Sequence, residues 1–427
     1  MFAIIEEIEA QRNYEFPYAS DHRIKCWLIM AFQIIAYKFR ISNPSKIVQE
    51  RLEQTLYHCR FLYNAALSER KQAYQLNRIS INYQAQAAQL SDIKETNPEY
   101  KNIHSQVLQN VLKRVEKSFD NFFRRVKSGK GKVGFPRFQG QNRYDSFTFP
   151  QSGFSLTGNK LILSKIGKVK IKLSRQVIGK IKTLTIKREI DKYYAIFTVE
   201  TEIKPLPKTG ESVGIDAGVC SFLTLSDGTE IENNRFYQST QKKLRIAQRS
   251  VARKKKGSNN RKKAVLKLRK IHQKIKNQRA DYQHKISTWL INAYDVLCIE
   301  KLNLSGMVKS NLGKSLSDVA IGNFYNVLRA KAVNAGRELI EIPAQYTSQT
   351  CNECGHCEKA NRKTQAVFEC VKCHFSNNAD INAAKNILNI GLGQNTENKS
   401  VPSHRGSLKD KTWAVAPCVS LESPSKR

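Results

Sequence analysis

The chain has 427 residues, and 72 Lys and Arg against 36 Asp and Glu give it a formal net charge of +36 at pH 7. At about 100–200 residues per domain, the length predicts two to four structural units. Hydrophobic residues make up 40% of the chain and aromatic residues 9%, which excludes a protein that is disordered throughout. The positive charge favours a polyanionic partner, because Lys and Arg displace counterions from phosphate backbones, although an acidic membrane surface would attract the chain too.

The longest apolar run near the N-terminus is too short to span a membrane. It extends from Cys26 to Ala36, about half of the roughly 20 residues that a transmembrane helix needs. The first ten residues include Glu6, Glu7 and Glu9, whereas a secretory signal begins with basic residues. We therefore expect no membrane partner and a cytoplasmic protein.

Residues 1–35 do not share the patterning of the rest of the chain. Met30 stands immediately before a predicted strand at residues 32–41. We therefore expect 1–35 to be an N-terminal extension and hypothesise that the native start is Met30.

Two long helices are predicted between residues 45 and 127. In each, apolar residues recur at spacings of three and four. They are Leu52, Leu56, Cys59, Tyr63 and Leu67 in the first helix, and Val107, Val111, Val115, Phe119 and Phe122 in the second. The stretch from Gly129 to Pro136 ends this pattern, because its three glycines and its proline cannot continue a helix.

Beyond this break the apolar period changes to two, which predicts an antiparallel meander or a small barrel. The predicted strands are residues 145–149, 160–163, 168–173, 180–188 and 193–201. Residues 211–231 then predict a strand, a tight reversal and a second strand that turns at Asp227-Gly228. The remaining predicted elements are a strand at 296–302, a helix at 324–336, a strand at 339–342 and a last helix at 381–388.

The charge is concentrated in residues 235–285, which hold 19 Lys and Arg and one acid, Asp281, or half of the total charge. Glycine and asparagine at 257–260 divide this segment into two helices. A charge run is often only a solvated face, but charge of one sign at this density favours a polyanion as the partner. The candidate nucleic-acid-binding residues are Arg253, Lys254, Lys255, Lys256, Arg261, Lys262 and Lys263.

Two Cys-x-x-Cys pairs form the most specific motif of the chain. Cys351 and Cys354 are separated by fifteen residues from Cys370 and Cys373. Each pair presents two thiolates, and together they complete the tetrahedral site of one structural Zn²⁺ with no open position for water. The alternative is reduced cysteines in a core. Cys357 repeats the spacing after Cys354, but we expect it not to bind the metal.

Three carboxylates interrupt apolar segments. Asp216 lies at the centre of an apolar strand, Glu300 ends another, and Asp380 begins the last helix. Each has a structural alternative: Asp216 as a turn former, Glu300 as an exposed strand end and Asp380 as an N-cap. Together they are the hard oxygen ligands that Mg²⁺ or Mn²⁺ requires. Two such ions can activate a water and stabilise the leaving oxygen of a phosphodiester.

These motifs, in this order and spacing, resemble the TnpB family, transposon-encoded RNA-guided DNA endonucleases related to type V CRISPR effectors. The resemblance covers most of residues 36–390. It is carried by AYKFRI (36–41), GFPRF (134–138), YDSF (144–147), GIDAGV (214–219), RKKKGSNNRKKA (253–264), IEKLNLSGM (299–307), TSQTCNECG (347–355) and DINAAKNIL (380–388).

The resemblance implies an α+β multidomain protein with an RNase H-like (RuvC-type) nuclease domain, in which Asp216, Glu300 and Asp380 are the catalytic ligands. An antiparallel β wedge domain would be interrupted by a helical recognition domain. The implied domains are wedge 36–44 and 129–205, recognition 45–128, nuclease 206–346 and 377–390, an inserted zinc knuckle 347–376, and a flexible tail 391–427.

The implied partners are a guide RNA from the transposon end and a double-stranded target DNA, which is cut next to a short flanking motif. Departures from the family pattern are Lys301 after Glu300, the additional Cys357, and residues 1–29. The guide, the flanking motif and the oligomeric state stay open.

Other functions remain as alternatives. A non-cleaving nucleic-acid-binding accessory or regulator of transposition would share the basic helices and the zinc, but it has no need of the three carboxylates. A DNA-joining transposase could use a similar acidic set. A phosphate-binding ATPase is a weaker alternative, because the sequence contains no second glycine-rich phosphate-binding loop.

Overall fold

The protein was analysed as a computed structural model, which describes residues 32–129, 133–141, 143–203, 205–302 and 318–393. The chain divides into two compact units, the first ending at Glu202 and the second beginning at Ile203. The Met30 hypothesis, most of the N-terminal extension and the tail beyond residue 393 lie outside the described residues. No helix in the described ranges is both long enough and apolar enough to cross a membrane.

The first unit contains a seven-stranded antiparallel sheet in the order β2-β6-β7-β1-β5-β4-β3. Its strands are β1 Phe32–Ser42, β2 Ser146–Phe149, β3 Phe154–Thr157, β4 Lys160–Leu163, β5 Gly167–Lys172, β6 Lys180–Glu189 and β7 Lys192–Glu202. β1 is central: it pairs with β7 from Phe32 opposite Glu202 to Arg40 opposite Tyr194, and with β5 at Lys172 opposite Arg40. The helical segment therefore leaves the sheet after β1, and the chain returns to the same sheet at β2. The sequence did not predict β3.

Four helices form this segment: α1 Lys46–Asn77, α2 Tyr83–Ala88, α3 Leu90–Thr96 and α4 Ser105–Ser128. The Ser45 hydroxyl caps α1 by accepting from the Val48 N–H at 3.4 Å. Leu52 of α1 and Leu108 of α4 are fully buried in the same hydrophobic cluster as Phe197 of the sheet. Helices and sheet therefore share one core.

The second unit contains a five-stranded sheet in the order β10-β9-β8-β11-β12. The strands are β8 Ser212–Asp216, β9 Ser221–Leu225, β10 Glu230–Glu232, β11 Val296–Lys301 and β12 Glu338–Pro343. β9 is antiparallel to both β8 and β10, whereas β11 is parallel to both β8 and β12. Residues 211–231 thus form three strands, where the sequence predicted two.

The helices of this unit are α5 Phe236–Ala252, α6 Asn259–Ala293, α7 Ile321–Ala335 and α8 Ala379–Gly391. A two-stranded ribbon, β13 Val367–Glu369 and β14 Ser376–Asn378, precedes α8. α8 packs directly on β8 at Gly214, where an added Cβ would lie 2.0 Å from the Ala384 carbonyl oxygen and 2.7 Å from the Leu388 nitrogen. The closeness of helix and sheet therefore requires glycine at this position.

A buried arginine ties the sheet to the chain that enters it. Arg337 donates from Nε to the Ile291 carbonyl and from Nη2 to the Pro207 carbonyl, both at 2.9 Å, and also forms an ion pair with Asp295. The Asp295 carboxylate accepts the Thr209 N–H at 2.9 Å. These bonds fix the chain just before β8, where the first predicted site residue lies.

Replacing Gly214 by alanine should destabilise the second unit, because the new Cβ meets the backbone of α8 rather than a flexible side chain. We expect the free energy of unfolding to fall by about 1–3 kcal/mol, as for other overpacked cores. Gly140→Ala is the matched control, since an added Cβ there has nothing within 4 Å. Thermal unfolding measures both variants, and an unchanged midpoint for Gly214→Ala would contradict the close approach.

Candidate active site and metal centre

Asp216 and Glu300 end up side by side through strand register. Ile215 of β8 pairs in parallel with Ile299 of β11, and the two carboxylates occupy the next position on each strand. Equivalent positions on neighbouring parallel strands face the same side of a sheet. Two acidic side chains that are far apart in sequence are therefore adjacent at one sheet edge.

Asp380 reaches this edge from the first turn of α8. The residue that caps α8 is Asn378, whose Oδ1 accepts from the Asp380 N–H at 2.8 Å and the Ile381 N–H at 3.4 Å. The N-cap alternative for Asp380 is therefore wrong. Its carboxylate is left available and accepts a hydrogen bond from Arg362 Nη2 at 3.1 Å.

The electrostatics show that the three carboxylates interact. The pKa of Asp216 is raised well above its usual value by burial and then by the charges of Glu300 and Asp380. Burial also raises the pKa of Glu300, although a hydrogen bond from the Thr347 hydroxyl lowers it in part. Burial likewise raises the pKa of Asp380, although the charge of Arg362 lowers it in part. Mutual repulsion of this kind is relieved by a bound cation.

Arg362 is a site residue that sequence reasoning missed. It forms an ion pair with Asp380 and donates from the same nitrogen to the Gln365 carbonyl at 2.9 Å. Its charge lowers the pKa of all three carboxylates. It lies between the two cysteine pairs, and nothing distinguished it among 72 basic residues.

Tyr325 of α7 was also missed, because the helical pattern of α7 explains it as a core residue. Its side chain is buried, and among the described residues its hydroxyl has no hydrogen-bond partner. Burial raises its pKa, and the charges of Asp216 and Glu300 raise it further. A buried hydroxyl without a hydrogen-bond partner costs free energy. A hydrated ion held by the nearby carboxylates would give this hydroxyl a partner, so the position of Tyr325 fits such a site.

The four predicted cysteines meet at a second place in this unit. The sulfur atoms of Cys351, Cys354, Cys370 and Cys373 all lie within 4.8 Å of one another, and this group could hold a metal ion. The sulfur atoms of Cys354 and Cys370 lie 3.5 Å apart, and those of Cys351 and Cys373 lie 3.7 Å apart. Cys357 is exposed and outside the group.

One thiol of this group is favoured as the thiolate. Burial raises the pKa of Cys370, but the backbone N–H groups of Cys373 and Lys372 outweigh that effect and lower the pKa to about 6. Metals bind thiolates rather than thiols.

Buried asparagines connect the cysteine segment to the carboxylates. Asn382 of α8 donates to the Thr350 carbonyl at 2.8 Å, and Asn386 donates to the Thr347 carbonyl at 2.9 Å. Asn361 joins the two cysteine pairs, because it donates to the His356 carbonyl at 3.0 Å and accepts the Val371 N–H at 3.0 Å. Asn361 directly precedes Arg362, so the cysteine segment positions the arginine that contacts Asp380.

The seven candidate nucleic-acid-binding residues divide into two groups. Arg261 donates to the Val251 carbonyl at 2.8 Å and to the Lys254 carbonyl at 3.0 Å, and the Lys254 ammonium contacts the Ser250 hydroxyl at 3.1 Å. These two side chains hold the turn between α5 and α6. The exposed members are Arg253, Lys255, Lys256, Lys262 and Lys263.

Three family models match the chain. OrfB_IS605, described as "Probable transposase", matches residues 196–311, and "Cas12f1-like, TNB domain" matches 322–387. A model described as "Helix-turn-helix domain" matches 30–78. Within that last range the described residues form strand β1 and the single long helix α1.

Two relatives match over nearly their whole length. An Escherichia coli (strain K12) protein named "Putative RNA-guided DNA endonuclease InsQ" is 34% identical over 377 residues, which is 83% of this chain and 92% of the relative. A Streptomyces pristinaespiralis protein named "Putative RNA-guided DNA endonuclease" is 30% identical over 383 residues, 88% of this chain and 93% of the relative.

The fold is similar to that of Cas12f1 in a complex with sgRNA and target DNA, with a TM-score of 0.53 and 14% identity over 84% of this chain and 99% of the other. At this identity the likeness supports only a shared mixed α/β fold. The identity and coverage of the relatives, together with the motifs and the matched family models, establish that this chain belongs to the TnpB family.

Proposed function

We propose that the protein is an RNA-guided, metal-dependent DNA endonuclease encoded by an insertion-sequence transposon, which cleaves phosphodiester bonds next to a short flanking motif. The observation that carries the proposal is the meeting of Asp216, Glu300 and Asp380 from three separate elements, close enough for the charges of the other two to raise the pKa of Asp216. The names of the two relatives support this activity. A binding-only accessory would gain nothing from such a costly carboxylate cluster.

The second unit is proposed to be a RuvC-like nuclease domain. Its sheet places the two carboxylate-bearing strands, β8 and β11, next to each other, and α8 brings the third carboxylate. The cysteine segment is proposed as a zinc knuckle inserted before α8. In the first unit, the sheet is proposed as the wedge domain and α1–α4 as the inserted recognition domain.

We propose that the three carboxylates hold Mg²⁺ or Mn²⁺, with two ions bound. When bound, such ions activate a water and stabilise the leaving oxygen. The residues of the chain prepare this site. Thr347 fixes the Glu300 carboxylate, Arg362 holds Asp380, and the Tyr325 hydroxyl offers a buried donor that no described side chain uses.

The proposed metal at the four cysteines is one structural Zn²⁺. Four thiolates fill its tetrahedral coordination, so no position remains for substrate or water. Through Asn361 and Arg362, this zinc would hold the arginine at Asp380. The proposed partners are a guide RNA from the transposon end and double-stranded target DNA, in keeping with the basic α5–α6 segment.

Asp216→Ala should reduce DNA cleavage by at least about 100-fold, because a lost ligand removes stabilisation of the transition state. The substrate is DNA matched to the RNA that co-purifies with the protein, with a randomised flank and Mg²⁺. RNA affinity should stay unchanged, since it depends on phosphate contacts. Asp281→Asn, an exposed acid of α6, is the control and should cut normally. Equal cutting by Asp216→Ala would reject the site, whereas binding without cutting by the wild type would favour an accessory.

Cys370→Ser should lose the zinc, whereas Cys357→Ser should keep one zinc per chain, because Cys357 lies outside the sulfur cluster. Elemental analysis of the purified variants measures the stoichiometry. A loss of zinc in Cys357→Ser would show that the ligand set is different from the one proposed.

Replacing Lys255, Lys256 and Lys262 together by glutamine should weaken RNA binding and flatten its salt dependence, by about 0.7 in slope for each lost phosphate contact to a single strand. Arg261→Gln should mainly lower thermal stability, because its guanidinium bonds the backbone of the turn. Binding titrations across a series of KCl concentrations measure the slope. An unchanged slope in the triple variant would show that these lysines form a solvated face and do not contact RNA phosphates.

A further inference from the structure

A pocket lies in the first unit, between the C-terminal half of α4 and the GFPRF loop. Its volume is about 420 Å³, within the ~300–1,000 Å³ typical of small-molecule sites. The lining includes Asn121, Arg124 and Arg125 of α4, and Phe135, Arg137 and Gln139 of the loop. None of these residues belongs to the carboxylate site or the basic α5–α6 segment.

The loop that forms one wall is fixed in place. The Asn64 side chain of α1 donates to the Gln139 carbonyl at 3.0 Å and accepts the Gln139 N–H at 2.8 Å. The Phe135 ring packs edge-on against Phe119 at 5.6 Å and Phe122 at 5.3 Å between ring centres. The pocket is therefore preformed, and a ligand would not have to order this wall.

The charge of the pocket is positive and is not neutralised locally. Within the described ranges, Arg124, Arg125 and Arg137 form no ion pair with an acid. Arg124 donates to the Asn121 side chain at 3.0 Å, and Arg125 donates to the Gly134 carbonyl at 3.3 Å. A guanidinium carries five N–H donors, so each retains donors for an anion.

Phe135 adds an aromatic surface to this charge. Its side chain is 45% exposed despite its contacts with two other rings. Asn121 and Gln139 add amide groups at the same pocket. An aromatic ring, amides and guanidinium groups around one cavity are the combination that recognises a nucleotide: a stacking surface, hydrogen bonds to the base edge, and cations for the phosphate.

We propose that this pocket receives one unpaired nucleotide of an RNA strand, with the base on Phe135 and the phosphate on the arginines. Paired bases remain in the helical stack and cannot enter a pocket, whereas unpaired RNA bases turn outward and stack on aromatic side chains. The assignment of RNA rests on the proposed function, in which the protein carries an RNA. The proposed pocket is an RNA-binding site in the first unit, separate from the proposed nuclease site in the second unit.

The test uses the full chain and a short single-stranded RNA that contains 5-iodouridine, with a DNA of the same sequence that contains 5-iododeoxyuridine. Photocrosslinking followed by peptide mapping should locate the RNA crosslink at Phe135. Phe135→Leu, which keeps an apolar side chain, should remove that crosslink and weaken RNA affinity by about 5- to 150-fold, the range for one lost base–aromatic stack. Arg125→Gln should lower the salt slope of RNA binding by about 0.7.

Phe138→Leu and Lys127→Gln are the matched controls. Phe138 is 51% exposed in the same loop, Lys127 is exposed on the same helix, and neither lines the pocket. Both should bind RNA as the wild type does. Circular dichroism verifies that each variant is folded.

RNA crosslinks that map elsewhere, or Phe135→Leu with unchanged affinity, would overturn the pocket assignment and leave the proposed nuclease untouched. A crosslink at Phe135 from the DNA alone would overturn the assignment of RNA. Wild-type protein that purifies without RNA and does not bind the single-stranded RNA would instead overturn the proposed function, so the two failures are distinguishable.

Discussion

The second unit depends on holding three carboxylates together against their own repulsion. The register of β8 with β11 fixes two of them, and the contact of α8 with Gly214 brings the third. Arg362 and Thr347 offset the repulsion only in part: burial, and then the charges of Glu300 and Asp380, still raise the pKa of Asp216 well above its usual value. A cation bound at the proposed site would relieve this repulsion, so cation binding and folding of this unit should favour each other.

The cysteine segment has a position that gives it more than a stabilising role. It lies between the sheet and α8 in sequence, and buried Asn382 and Asn386 bond it to the helix that bears Asp380. Asn361 and Arg362 continue the connection from the cysteines to the carboxylates. Hydrogen bonds within one unit therefore join the cysteine cluster to the carboxylate cluster.

The sequence was sufficient for features that local patterns determine. Alternating residues predicted strands such as 160–163, and spacing predicted the four clustered cysteines. Features that depend on tertiary contacts were not predictable: Arg362 gains its role only once the cysteine segment folds, and Tyr325 reads as an ordinary core residue of α7. The cap at Asn378 shows the same limit, because Asp380 is equally suited to capping by residue type.

The central place of β1 has a consequence for synthesis of the chain. β1 is made first, yet its neighbours β5 and β7 are among the last strands of its unit to be translated. Helices α1–α4 can form by local contacts. Their apolar faces can pack against the complete sheet only after β7, which lies between β6 and β1, has emerged from the ribosome. Such distant pairings slow folding and expose apolar surface in the meantime. Production of this enzyme in a cell should therefore respond to chaperones and to the speed of translation.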